Sequence, residues 1–209
     1  NIISYTKEDL DDPKVEESNV LTCANPILYL NPEIESENEV TYLWSTGSTE
    51  KVLKVEEAGV YTLVVTDAVT GCSTEVFKCE ITENKTFPVV GDVISSNTED
   101  MDDENYKETT VLDCNNPELI LTPVIKDSEG NAYAEGDITY VWRTTDENGD
   151  VIIIGTGTTI TVTDEGAYEL QVIDAKTGCP SAKQVVKIKK NTTTPVITNI
   201  ISYTKESPN

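Results

Sequence analysis

Polar and apolar residues alternate along much of this chain. Over 59–67 the apolar positions Tyr61, Leu63 and Val65 fall two apart, and over 166–174 Tyr168, Leu170 and Val172 repeat the spacing. A period of two buries one face of a β-strand. Long stretches with the 3.6-residue period of a helix are missing. Val, Ile, Thr and Tyr fill the ordered stretches, and Asn, Gly, Asp and Pro interrupt them roughly every eight to twelve residues, the pattern of an all-β sandwich. The pattern predicts strands over 27–34, 40–45, 51–56, 59–67 and 73–81, and again over 118–126, 138–145, 150–154, 158–163, 166–174 and 181–189. Residues 1–6 and 89–96 are each expected to supply the first strand of a domain.

The strand pattern occurs twice because the sequence does. Val20-Leu21-Thr22-Cys23-Ala24-Asn25-Pro26 matches Val111-Leu112-Asp113-Cys114-Asn115-Asn116-Pro117, an offset of 91. Thr41-Tyr42-Leu43-Trp44 matches Thr139-Tyr140-Val141-Trp142 at 98, and Asp67–Cys72 (DAVTGC) matches Asp174–Cys179 (DAKTGC) at 107. The offset grows in steps, as insertions near 126–137 and 146–157 would make it. Both segments are rich in the residues of exposed turns. A longer period lies above this one: Asn1–Glu8 reads NIISYTKE, and NIISYTKE returns at 199–206, an offset of 198. Repetition at a fixed period points to a modular array, here one that alternates two domain types. The expected organisation is a first domain over 1–87, with its opening residues missing, a second with longer loops over 88–194, and the start of a further repeat over 195–209.

The recurring landmarks have structural readings. Trp44 and Trp142 fall on the third strand of an immunoglobulin-like sandwich, where a large aromatic fills the space between two sheets. Tyr42, two residues before Trp44, shares its face, which favours core over a sugar-stacking surface. Glu57-Ala58-Gly59-Val60-Tyr61 and Glu165-Gly166-Ala167-Tyr168 read as the turn into the next strand, with the tyrosine returning its hydroxyl to upstream backbone. In an antibody domain a cysteine follows that tyrosine by two; here Leu63 and Leu170 stand there, so the disulfide framework differs. Asp67 and Asp174 are expected to cap the Thr-Gly-Cys turns through their side chains.

Charge narrows the partners. Lys and Arg number 15 against 38 Asp and Glu, a formal net charge of −23, with no His. Such a surface repels phosphate backbones and anionic lipid, so neither nucleic acid nor direct membrane insertion is expected. No stretch reaches the ~20 apolar residues of a membrane-spanning helix. The commonest general base is missing, and the sequence carries no nucleophile–base pair, phosphate-binding glycine loop or metalloprotease motif, so an enzyme is not expected. A paired-carboxylate glycosidase is the formal alternative.

Two groups of residues are candidates for chemistry. Cys23 and Cys72 recur as Cys114 and Cys179, whereas Cys79 has no counterpart. One bridge per domain, Cys23–Cys72 and Cys114–Cys179, is the expected pairing, with Cys23–Cys79 as its alternative; either implies an oxidising, extracellular setting. The acidic clusters Glu8-Asp9-Leu10-Asp11-Asp12 and Glu99-Asp100-Met101-Asp102-Asp103 fall in the loop after each first strand. Asp9, Asp11 and Asp12 with Asp100, Asp102 and Asp103 are candidate calcium ligands; the competing reading is a solvated loop.

Leu21-Thr22-Cys23, Tyr42-Leu43-Trp44-Ser45-Thr46-Gly47, Ala58-Gly59-Val60-Tyr61, Val65-Thr66-Asp67 and Gly71-Cys72 together resemble the repeats of very large surface adhesins of gliding Bacteroidetes, the SprB-type and related PKD/immunoglobulin-like repeat proteins. The resemblance covers most of the first domain and is weaker in the second, where Arg143-Thr144-Thr145 follows the tryptophan. It implies export to the cell surface and an extended filament of many domains, with neighbouring repeats, surface polysaccharide or another adhesin as partners. The expectation is therefore a stalk segment of two tandem immunoglobulin-like β-sandwiches of roughly seven strands each. The alternatives are a carbohydrate- or protein-binding module, which an exposed aromatic shelf near Tyr133 would favour, and a surface-layer coat protein.

Overall fold

A computed structural model of the chain describes residues 2–200. All regular structure among them is β. The first copy supplies β1 (Ile2–Tyr5), β2 (Val20–Leu21), β3 (Leu28–Pro32), β4 (Val40–Trp44), β5 (Leu53–Val55), β6 (Gly59–Asp67) and β7 (Phe77–Glu83). The second supplies β8 (Pro88–Ser96), β9 (Val111–Leu112), β10 (Leu119–Asp127), β11 (Ile138–Thr145), β12 (Val151–Gly155), β13 (Ile160–Val162), β14 (Gly166–Asp174) and β15 (Gln184–Lys190).

The two copies have one topology. In the first, a sheet ordered β1-β3-β5 faces a sheet ordered β2-β7-β6-β4; in the second the orders are β8-β10-β13 and β9-β15-β14-β11-β12. In each, a two-residue strand runs parallel to the last strand, Val20 opposite Thr82 and Val111 opposite Lys189, and the other pairings described are antiparallel. These are tandem immunoglobulin-like β-sandwiches, of seven strands and eight. The extra strand is β12, which the insertion near 146–157 builds as a hairpin on β11.

The alternation read in the sequence is the burial seen in the structure. Leu28, Leu30, Leu53, Val55, Leu63, Val65 and Ile81 close around Trp44, which is 2% exposed. Each such leucine removed from water stabilises the fold by roughly 2–3 kcal/mol. The indole Nε1 of Trp44 donates to the Glu50 carbonyl at 2.8 Å, and that of Trp142, itself fully buried, donates to the Gly157 carbonyl at 3.0 Å. Both tryptophans are core, and neither presents a ring face for a sugar. The Tyr61 hydroxyl donates to the Glu57 carbonyl at 2.8 Å and that of Tyr168 to the Asp164 carbonyl at 2.7 Å, each four residues upstream, so both tyrosines pin the turn as the motif predicts.

The predicted 73–81 strand is displaced to Phe77–Glu83. Thr74 instead folds back on Val65, its N–H donating to the Val65 carbonyl at 2.8 Å and its hydroxyl accepting from the Val65 N–H at 3.1 Å. The strands β2 and β9 were not expected, because two residues carry no readable period.

The chain divides into two compact units whose boundaries do not follow the repeat. One gathers the residues up to Gly91 with Ile125–Val141 and Gln171–Lys183; the other gathers Asp92–Val124, Trp142–Leu170 and the described residues from Gln184 onward. The first unit thus holds the whole first sandwich together with the turn from β14 toward β15. Residues 191–200 form no strand and are exposed. Most of the further repeat expected at 195–209 lies outside the described residues.

Candidate functional site: the bridged cysteine turns

Two kinds of turn carry the recurring cysteines. The turn between β2 and β3 is closed by the Thr22 N–H donating to the Asn25 carbonyl at 3.0 Å, and the Thr22 hydroxyl accepts from the Asn25 N–H at 3.0 Å. Its counterpart between β9 and β10 uses Asp113 in the same way: the Asp113 N–H donates to the Asn116 carbonyl at 3.0 Å, and Asp113 Oδ1 accepts from Asn116 N–H at 2.8 Å. Cys23 and Cys114 thus sit at the tips of equivalent turns.

The turns after β6 and β14 match more closely still. Asp67 Oδ1 accepts from the N–H groups of Val69 and Thr70 at 2.9 and 2.8 Å, and Asp174 Oδ1 from those of Lys176 and Thr177 at 2.9 and 2.8 Å. The aspartates cap the turns, as the sequence suggested. Gly71 and Gly178 follow at φ of 73° and 68°, a region that favours glycine. Hydrogen bonds from the Thr70 N–H and the Asn38 amide hold the Asp67 carboxyl down to about 2. At Asp174 burial is the largest single influence and acts upward, but the bonds from the Thr177 and Lys176 N–H groups help to outweigh it and the net shift is downward.

The disulfide joins one turn of each kind. Cys23 is bonded to Cys179, with their Cα atoms 4.9 Å apart and 156 positions apart in sequence. Both lie in the first compact unit. Beside the bridge, the Ala24 N–H donates to the Thr177 carbonyl at 2.9 Å, and the Thr177 hydroxyl donates to the Thr86 carbonyl at 2.7 Å. A Cβ added to Gly178 would lie 2.6 Å from Ala24 Cβ, so the glycine also makes room for the approach. Here Asp174, Thr177, Cys179 and Ser181 are all buried.

This overturns the expected pairs Cys23–Cys72 and Cys114–Cys179; Cys72, Cys79 and Cys114 are free. Strand direction explains why. The segment β2 runs parallel to β7 and pairs with its final residues, Leu21 opposite Glu83, so Cys23 lies beyond the end of β7. Cys72 precedes the start of β7 at Phe77. The length of the sandwich separates them, roughly 30 Å at the rise of a strand, whereas a disulfide needs Cα atoms within about 7 Å. The alternative Cys23–Cys79 is not formed either. Cys79 is half-buried on β7, and burial pushes its thiol up, away from the reactive thiolate.

The acidic loops do not gather into a metal centre. Among the described residues no three acidic or cysteine side chains are placed to hold a cation. Asp9 accepts from the Asp11 N–H at 3.0 Å, and Asp12 accepts from the Lys14 N–H at 2.7 Å and pairs with Lys7 at 2.8 Å. In the second copy Asp100 accepts from the Asp102 N–H at 3.0 Å and Asp103 from the Asn105 N–H at 2.7 Å. The carboxylates of Asp9, Asp12, Asp100 and Asp103 build turns, and the calcium ligands expected at Asp9, Asp11, Asp12, Asp100, Asp102 and Asp103 are not drawn together into a cluster. Nor is there an aromatic shelf at Tyr133. Its hydroxyl is buried, and burial foremost, with the Asp174 carboxylate second, pushes it up to about 12. The exposed apolar feature is instead β12, where Val151 is 67% and Ile153 65% exposed.

The sequence missed the partners of the bridge, namely Ala24, Thr177 and Thr86. A signal for them was present. The two Asp–Cys hexapeptides predict one turn twice, and only the direction of β7 says which cysteine that turn can reach.

No protein-family model matches the chain, and no curated protein matches it. Among solved structures it is similar to the three N-terminal domains of the bacteriophage RB49 highly immunogenic outer capsid protein (Hoc), with 20% identity and a TM-score of 0.36 over 78% of this chain. The match covers 54% of that structure's chain. Nothing about position or function is transferred at that level of superposition.

Proposed function

We propose that this chain is a structural repeat segment, a stalk, of a long secreted cell-surface adhesin filament that serves surface attachment or gliding motility. One observation carries the reading. A single sandwich design is built twice, and a disulfide ties the β2–β3 turn of the first copy to the turn after β14 in the second. An array of such units needs each domain fixed to the next, and it needs no catalytic constellation. The bridge suits an oxidising environment outside the cytosol. No helix among the described residues is long and apolar enough to cross a membrane. The resemblance of the Cys, Trp, Gly-Val-Tyr and Thr-Gly-Cys landmarks to gliding-adhesin repeats supplies the biological setting.

The test has two parts. Antibodies raised against the chain should label intact, unpermeabilised cells of its source, and label confined to the cell interior would overturn the reading. Small-angle scattering of a chain carrying two periods in tandem should show a maximum dimension close to double that of one. An unchanged maximum dimension would argue for a compact particle instead.

A second reading, a module that itself binds protein, is favoured by β12. This strand lies at the edge of its sheet and exposes Val151, Ile152, Ile153 and Ile154. An open edge of that composition can take up a further strand. The discriminating observation is whether the isolated chain captures an extended peptide through this edge.

A further inference from the structure

The turn that carries Cys179 is buried by its partners, and its twin is not. Asp174, Thr177, Cys179 and Ser181 are buried, whereas Thr70, Gly71, Cys72 and Ser73 are exposed. The two turns differ in sequence only at Val69 against Lys176, and their internal hydrogen bonds match: Asp67 N–H to Cys72 carbonyl at 2.9 Å against Asp174 N–H to Cys179 carbonyl at 3.0 Å, and Gly71 N–H to Asp67 carbonyl at 2.9 Å against Gly178 N–H to Asp174 carbonyl at 2.8 Å. A Cβ on Gly178 would strike Ala24, while one on Gly71 meets nothing within 4 Å. The first copy thus presents an acceptor turn without its donor.

The second copy presents a donor without its acceptor. Cys114 stands where Cys23 stands and is exposed and free. The segment that supplies the Thr86 carbonyl is also rebuilt. The Asn84 N–H donates to the Leu21 carbonyl at 2.9 Å, and the Thr86 hydroxyl donates to Asn84 Oδ1 at 2.8 Å. The Asn191 N–H likewise donates to the Leu112 carbonyl at 2.8 Å, and the Thr193 hydroxyl to Asn191 Oδ1 at 3.1 Å. Thr193 therefore occupies the place of Thr86.

We propose that Cys114 of one 198-residue period forms a disulfide with Cys72 of the period that follows, so that every junction of the array is covalently locked. The proposal rests on the repeat-array reading above. In this junction the Asn115 N–H takes the role of Ala24 and donates to the carbonyl of the following Thr70, whose hydroxyl donates to the Thr193 carbonyl. Gly71 faces the Asn115 backbone, and the longer side chain of Asn115 is directed to solvent. Cys72 and Cys114 are free in a single period because their partners belong to its neighbours. Cys79, with no counterpart in the second copy, takes no part.

The oxidation balances as thiol–disulfide exchange. One cysteine thiolate attacks a disulfide of the oxidant, a dithiol–disulfide oxidoreductase in the cell envelope or glutathione disulfide in vitro, and expels one thiolate. The second cysteine then attacks the mixed disulfide and expels the other. Two protons and two electrons leave the protein, and the oxidant is reduced to two thiols.

The test uses two periods in one chain, residues 1–198 followed in frame by 1–209, oxidised with glutathione disulfide. Free thiols are then alkylated and disulfide-linked peptides are mapped by mass spectrometry. The expected product carries Cys23–Cys179 in both periods and Cys114 of the first period bonded to Cys72 of the second. Alkylation of that Cys114 falls at least about tenfold below alkylation of Cys114 in the second period, since tethering puts the thiols at millimolar effective concentration. Changing Cys72→Ser in the second period alone restores alkylation of the first Cys114. If both Cys23–Cys179 bonds form while Cys114 and Cys72 at the junction stay fully alkylated, the lock is wrong and the stalk reading stands. Pairing of either with Cys79 also overturns the lock. If Cys23–Cys179 fails to form, the stalk reading loses the observation that carries it.

Discussion

Gly178 and Gly71 occupy the same turn in different surroundings, which lets backbone strain be separated from packing. A side chain at φ near +70° costs about 1–2 kcal/mol, and that is the whole expected loss for Gly71→Ala, whose Cβ meets open space. Gly178→Ala adds overlap with Ala24, and overpacking costs typically another 1–3 kcal/mol. Chemical unfolding of the two variants should therefore differ by that second amount, with Gly178→Ala the less stable. Equal losses would mean that the turn shifts freely away from Ala24. The capping aspartates set the response to acid. Asp67 is held at about 2 in the fold, against about 3.9 in an unfolded chain, and Asp174 is also lowered. A depressed carboxyl contributes stability that is fully present above its unfolded value and is lost as protons bind the folded state. Thermal unfolding temperature should thus fall between pH about 4 and 2. Asp67→Asn should flatten that fall while lowering stability at neutral pH, and an unaltered acid limb in the variant would remove Asp67 as its source.

At the scale of elements, legibility tracks length and alternation. The strands β6 and β14 are readable because Tyr61, Leu63 and Val65 in one and Tyr168, Leu170 and Val172 in the other repeat a period of two within nine-residue strands. The segments β2 and β9 are not, since two residues per strand carry no period and their pairing is with a strand some sixty to eighty positions away. The cysteine turns illustrate the same limit. Their recurrence was plain in the sequence, but a pair of cysteines per copy is equally compatible with bonds inside a copy and bonds from one copy to another. The choice is made by the parallel pairing of β2 with the end of β7, a long-range fact that no local pattern encodes. The acidic loops show a related limit. Clustered carboxylates have the composition of a calcium site, yet Asp9, Asp12, Asp100 and Asp103 accept bonds from backbone N–H groups two residues on. Turn formation alone accounts for those aspartates. The strand β12 carries its own prediction. Its outward side chains contribute little to the core, so Val151→Lys with Ile153→Lys should leave stability within about 0.5 kcal/mol while reducing self-association seen by light scattering. If the double variant unfolds, those side chains are packed rather than exposed.

At the scale of the whole molecule, a net charge of −23 works against compactness through self-repulsion, so added salt is expected to favour the folded state. The disulfide matters most when the chain is pulled by its ends. Force entering before Cys23 crosses the sulfur–sulfur bond to Cys179 and leaves by the residues beyond it, bypassing everything enclosed. Only roughly 54 residues then lie in the path of the force, about 190 Å of contour, against about 730 Å for the whole 209-residue chain at ~3.5 Å per residue. Single-molecule stretching should show this difference directly, with roughly 540 Å of additional release when a reductant is present. Identical traces with and without reductant would mean that the bond is not formed. For a tether dragged along a surface the consequence is a short fuse: most of each period can come apart without the thread growing longer.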